Sequence, residues 1–257
     1  MERQLESLVF LAFVGLLLLL RFDAQRFGAA EYDDEEAPGG WRTWLRRLSW
    51  YASGIVLIAL IYRLYDRPLS VLRLQMGEDR LETILAGLAL GAVGTVLAFA
   101  YGWWRHGELR LPPGRRYPAG LLNSIGTAFI DEAAFRGILL GLMLAADWPV
   151  DLAIALQAVI YGLVTRLGGR GRPLGMLGLS LLIGLIGGWV TVQTGGIGAA
   201  FLGHVLTRFA VFTATGHAGQ LRQPMEEEEP EEDLEEVAPA GWEVISDRDP
   251  GAGSAPR

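Results

Sequence analysis

From about Leu5 to Thr215 the chain is a succession of apolar blocks. Most are near the roughly 17–25 residues that a helix needs to cross a bilayer. This pattern constrains the fold more than any other feature. Inside lipid each backbone amide and carbonyl must be satisfied within the protein, and continuous apolar blocks of this length do so as helices. They fall at about Leu5–Leu20, Tyr51–Tyr65, Leu81–Trp104, Tyr117–Ala146, Val150–Leu167, Leu174–Thr194 and Gly196–Thr215. The fold class expected is all-α, a polytopic membrane helical bundle of about seven transmembrane spans. The first block has mixed charges at its start and no small-residue cleavage site after Leu16–Leu20, which favours a retained span over a signal peptide. The second is short for a crossing. The fourth is long enough to be strongly tilted, or to join an interfacial piece to a span. Gly87, Gly91 and Gly94 give the third block a small face for close helix packing, and Gly195-Gly196 predicts a very tight turn before the last.

The polar segments divide the rest. Residues 21–49 hold an acidic cluster, Glu31 to Glu36, and then interleaved Trp and Arg from Trp41 to Tyr51, a pattern suited to the headgroup layer. The net charge of −7 conceals an asymmetry. Residues 225–257 carry 12 acidic and 2 basic residues, a net of −10, while residues 1–224 carry 17 acidic and 20 basic, a net of +3. The tail from Ala218 is too poor in apolar residues to offset its ordering entropy, and we expect it to be disordered, either simply solvated or docking a partner. The division expected is N-terminal spans and an interfacial loop over 1–80, a functional core over 81–216 and the acidic tail over 217–257. There is no cysteine, which excludes disulfides and thiol chemistry. With seven spans, 13 arginines fall on the side of loops 21–49, 105–116 and 166–173 and the start of the tail, against 5 on the other side. The positive-inside rule then puts the N-terminus outside and the tail in the cytoplasm.

Ionisable residues inside the apolar blocks carry the functional question. The fourth block contains Asp131, Glu132 and Arg136, and the last contains His204 and Arg208. Each charge at a bilayer centre costs about 2.5–3.5 kcal/mol on insertion scales, so these need partners or a function. Glu132 and Arg136 are four residues apart and share a helix face, as do His204 and Arg208. Asp131 points about 100° away from Glu132, so the two carboxylates should have different partners. Three readings follow. Asp131, Glu132, Arg136 and Arg208 could neutralise one another in a structural network. A carboxylate with His204 could form a hydrolytic site. The carboxylates could also mark a proton or ion path. A divalent metal such as zinc would find two ligands here, a carboxylate and His204, where a catalytic zinc normally has three. His106 and His217 read as solvated surface residues.

The order of the motifs resembles the CPBP family of intramembrane peptidases, the CAAX-protease and bacteriocin-processing type. Asp131-Glu132-Ala133-Ala134-Phe135-Arg136 resembles its Glu-Glu-x-x-x-Arg motif. Tyr161-Gly162-Leu163-Val164-Thr165 stands where Phe-x-x-x-His is expected. His204-Val205-Leu206-Thr207-Arg208, preceded by the Gly-rich run Thr194–Gly198, stands for His-x-x-x-Asn. The resemblance spans about residues 80 to 215. It implies an endopeptidase acting on membrane-embedded or prenylated, CAAX-like peptides. Asp131 would be its base, Thr165 would stand in the place of a histidine, His204 would be an oxyanion donor and Arg208 would replace the asparagine. Glu132 and Arg136 would be a structural pair. A catalytically inactive scaffold or immunity-type protein, binding a membrane partner, is the alternative. The partners implied are the bilayer and a membrane-embedded or lipidated protein, not nucleic acid, and the localisation implied is a bacterial plasma membrane.

Overall fold

The computed structural model describes residues 2–27, 40–65, 68–109, 111–167 and 174–215. Among them the regular elements are helices: α1 Glu2–Phe22, α2 Gly40–Leu64, α3 Arg80–His106, α4 Tyr117–Asp131, a π-helical segment Glu132–Leu139, α5 Leu140–Ala145, α6 Val150–Leu167, α7 Leu174–Thr194 and α8 Gly198–Thr215. The acidic cluster Glu31–Glu36, Arg170, Arg172, His217 and the acidic tail lie outside the described residues.

The helical bundle expected from the apolar blocks is present, and the chain is an integral membrane protein. Four stretches are long and apolar enough to cross a membrane: Leu45–Leu64, Arg80–Trp104, Val150–Leu167 and Leu177–Thr194. Leu8–Phe22 and Gly198–Ala214 are shorter apolar helices. The long fourth block is continuous helix, α4 passing through the π segment into α5. The second block is longer than its hydropathy suggested, because the Trp- and Arg-rich stretch before Tyr51 is already helical and α2 runs for 25 residues. Arginine stems can lie along apolar surface while their heads reach water, so these residues do not end the helix.

Polarity is inverted relative to a water-soluble bundle. Ile55, Val56, Leu85 and Val96 are exposed on the flank, whereas Asn123, Ser124, Thr127, Gln157, Thr165 and Thr191 are buried together with the charged motif. Lipid replaces water around the apolar flank, and polar groups collect where helices face one another.

Small residues set the closest approach. On α3, Gly87 and Gly91 lie against α8. A Cβ on Gly87 would come within 2.9 Å of the Leu202 Cβ and 3.0 Å of the Ala199 carbonyl oxygen. Gly203 returns the contact from α8, facing Leu90. Association of helices in lipid depends on this kind of packing, since transfer from water contributes nothing. Between α6 and α7, Gly184 lies against Ala158, and its carbonyl accepts from Gln157 Nε2 at 2.6 Å.

The connection before α3 folds inward. Ile197 N–H donates to the Arg73 and Gln75 carbonyls at 3.0 Å each, Gly198 N–H to Met76 at 2.9 Å, and Glu78 N–H to Thr194 at 2.9 Å. Gly195 supplies the tight turn, with φ of 77°. Leu72 is fully buried, and Gly141 of α5 leaves room for its backbone. Asp79 then caps α3, its Oδ1 accepting from the amides of Leu81 at 2.7 Å and Glu82 at 3.0 Å.

Substituting Gly87→Val should destabilise the bundle by about 1–3 kcal/mol through overpacking, read as a lower thermal midpoint in detergent. Gly107→Ala, at a left-handed helix end with open space around it, should cost less.

Candidate functional site

The site is built on the π segment. Hydrogen bonding from residue i to i+5 is rare and tends to occur where a helix carries function. Both Glu132 and Arg136 lie in this wider winding, and Asp131 is the last residue of α4. All three side chains are buried.

The two neighbouring carboxylates face different helices. Asp131 forms an ion pair with Arg21 at the C-terminal end of α1. Arg21 is itself buried, and the last turn that carries it is held by Trp50 of α2, whose indole N–H donates to the Leu20 carbonyl at 2.8 Å. Glu132 instead turns to α8. Its Oε1 lies 2.7 Å from His204 Nδ1 and 3.1 Å from Arg136 Nη1. The guanidinium of Arg136 is stacked over the Tyr161 ring of α6, 4.1 Å from its centroid, a cation–π contact that supplies attraction where water cannot. Gly187 of α7 lies alongside, and a Cβ there would come within 3.2 Å of Arg136 Nε. Tyr161 in turn meets Phe135 edge-on at 5.1 Å and His204 at 6.4 Å. Helices α1, α6, α7 and α8 thus converge on one turn of chain.

The six residues singled out from the sequence fall unequally. Glu132, Arg136 and His204 are brought together. Asp131 is next to them but is engaged with Arg21. Thr165 is buried on α6 one turn beyond Tyr161. The Nε and Nη2 of Arg208 have no hydrogen-bond partner among the described residues, and Asp131 pairs with Arg21, so the network expected to close through Arg208 closes through Arg21 instead. Arg21 and Tyr161 are the residues that pattern reading missed as partners. Arg21 looked like the first residue of a polar loop, yet a lone cation directly after Leu16–Leu20 was the available signal.

The donor set does not suit a catalytic zinc. Among the described residues no group of three or more His, Asp or Glu could hold a metal. The single carboxylate–imidazole pair is bonded to itself through Nδ1, and Thr165 is not a normal zinc ligand. The chemistry available is that of an oriented imidazole. Glu132 engages Nδ1, so the second ring nitrogen, Nε2, is the one left to act on a substrate.

Taken together, the fold and site define a helical membrane protein with a buried carboxylate–imidazole centre on a charged helix. Residues 113–210 match the Rce1-like family, described as type II CAAX prenyl endopeptidase Rce1-like. This match upholds the resemblance to CAAX-type proteases drawn from the three motifs, over a stretch that holds Asp131, Glu132, Arg136, Thr165, His204 and Arg208. No curated protein and no solved structure matches the chain.

Arg21→Ala should leave a buried unpaired carboxylate and cost about 3–5 kcal/mol. Combining Arg21→Leu with Asp131→Leu should recover most of that loss. A double-mutant cycle of unfolding free energies in detergent measures the coupling.

Proposed function

We propose that this protein is a CAAX-type intramembrane endopeptidase in which Glu132 and His204 form the reactive pair, acting on membrane-embedded or prenylated peptides. The reading rests on one observation above all, the 2.7 Å contact between Glu132 Oε1 and His204 Nδ1. A carboxylate on Nδ1 holds the imidazole in the tautomer whose Nε2 is a lone pair, and stabilises the imidazolium once a proton arrives. Arg136 Nη1, 3.1 Å from the same oxygen, holds Glu132 in position.

The reaction follows from those groups. His204 Nε2 takes a proton from water as its oxygen adds to the peptide carbonyl carbon. The same proton then passes to the departing amine nitrogen as the C–N bond breaks. The products are one carboxylic acid and one amine. Asp131 stands outside this path because Arg21 holds it. The working carboxylate of this mechanism is therefore Glu132, one residue on from the position that motif resemblance implied, and the proton is taken by His204 in place of Asp131. Residues 81–216 would be the functional core, with α1 contributing Arg21 to it.

A second reading is favoured by the Arg21–Asp131 pair. If the expected base is committed to a structural ion pair and Thr165 stands for a histidine, the chain is a non-catalytic member that binds a membrane partner.

Turnover of farnesylated and hydrophobic peptides by the wild type in liposomes decides between them. On the catalytic reading His204→Ala and Glu132→Gln each reduce the rate about 100-fold or more, whereas Asp131→Asn changes stability more than rate. No turnover on any such peptide, with folded protein confirmed by circular dichroism, establishes the scaffold. In that case turnover gained by Thr165→His with Arg208→Asn would mark the chain as a degenerate peptidase.

A further inference from the structure

Helices α4 and α8 run antiparallel and are matched at two levels. Near one end Gly120 lies against the Phe212 ring, and at the other Glu132 bonds His204. Between these levels α8 presents Arg208, and α4 presents Asn123, Ser124 and Thr127. Arg208 is about 6 Å along the axis from His204, by the rise of four residues.

This intermediate level has polar capacity that the protein does not use. Asn123 Oδ1 accepts from the Tyr51 hydroxyl at 2.5 Å and from Thr127 Oγ1 at 3.2 Å, which leaves the amide nitrogen as the spare atom. Asn123 Nδ2, Ser124 Oγ and the Nε and Nη2 of Arg208 are buried with no hydrogen-bond partner among the described residues. Three of those four atoms are obligate donors. Charge points the same way. Asp131 is paired with Arg21 and Glu132 with Arg136, which leaves the guanidinium of Arg208 as the further cation of this cluster among the described residues. A group with several acceptor oxygens and one negative charge would meet both needs, and the planar guanidinium fork fits such an oxyanion.

A crevice beside this level is lined by Arg47, Leu48, Tyr51, Ala119, Leu122 and Asn123. Leu48 and Leu122 are 40% and 48% exposed, so the crevice opens between α2 and α4 onto the apolar flank. Its walls are side chains, with Arg47 as the cation among them. Arg208 is four residues from both His204 and Phe212, the two α8 residues that meet the α4 side, so it shares their face of α8.

We propose that Arg208 and Asn123 form a site for the phosphate headgroup of an anionic membrane lipid, reached through the crevice between α2 and α4. An acyl chain would lie along Leu48 and Leu122 while the phosphate takes the spare donors. Basic pockets between membrane helices bind anionic headgroups on these terms. A peptide would need backbone partners along the same walls, which Leu48, Ala119 and Leu122 do not provide.

Native mass spectrometry of the full chain, released from detergent after titration with defined lipids, tests this. The wild type should retain phosphatidylglycerol at least tenfold better than phosphatidylcholine of the same chain length. Arg208→Gln should abolish that preference, Arg208→Lys should keep part of it, and Asn123→Ala should weaken it several-fold. Circular dichroism verifies that each variant is folded. If Arg208→Gln is not, Arg208→Lys and Asn123→Ala decide.

Equal retention of the two lipids, or a preference untouched by the folded variants, overturns the proposal. Displacement of phosphatidylglycerol by inorganic phosphate at equal concentration would assign the site to a free anion. Displacement by a hydrophobic peptide with a free C-terminal carboxylate, but not by its amide, would assign it to a peptide. Either result overturns the lipid assignment while leaving the Glu132–His204 reading to its own assay.

Discussion

Two adjacent carboxylates in the interior of a membrane bundle are the constraint on which the rest of this structure depends. Neither can be left unpaired, because each buried charge carries a desolvation cost of several kcal/mol. Adjacent positions on a helix diverge by about 100°, so one cation cannot serve both. Asp131 is answered by Arg21 from α1, and Glu132 by Arg136 from its own segment and by His204 from α8. Each answering group needs support in turn. Trp50 holds the end of α1, and the Tyr161 face receives the Arg136 guanidinium. The pairing therefore extends from two side chains to contacts with α1, α2, α6 and α8.

Glycine makes the convergence sterically feasible. Arginine at the centre of a bundle takes up much of the space between helices, and Gly187 yields that space on α7. Gly137 leaves room on the π segment for Leu74 and the Leu72 carbonyl. The irregular stretch before α3 is stable there because its carbonyls are bonded to the start of α8 and Leu72 is packed away from lipid. Irregular backbone at this depth is tolerated when it is covered by protein in this way.

Local pattern made part of this legible. The apolar blocks identified the helices, the i, i+4 spacing of Glu132 and Arg136 put them on one face, and Gly87, Gly91 and Gly94 marked a close-packing face on α3 without naming the helix it meets. Those are properties of one segment. The partner of Asp131 is a property of two segments far apart in the chain, and no periodicity in either encodes it. Arg21 and Arg208 both follow or interrupt apolar runs, and nothing local says which of them reaches Asp131. The beginning of α2 was hidden for a different reason. Hydropathy averages over side chains, and the arginines between Trp41 and Trp50 lowered it although the backbone there is helical.

The distribution of cations also separates two roles that a carboxylate pair would otherwise confuse. Two like charges on neighbouring residues oppose each other's ionisation unless each has its own counter-charge. Arg21 supplies that for Asp131, and leaves Glu132 to Arg136 and His204. Under the proposed function Asp131 is a structural anion and Glu132 the orienting one, although motif position alone would assign them the other way round. The reversal depends on a residue from α1, which lies outside the stretch that matches the family. The chemistry at α4 and α8 is thus set partly by a helix that the shared core does not include. Loss of the Arg21 contact would act on both carboxylates, on Asp131 directly and on Glu132 through the charge beside it.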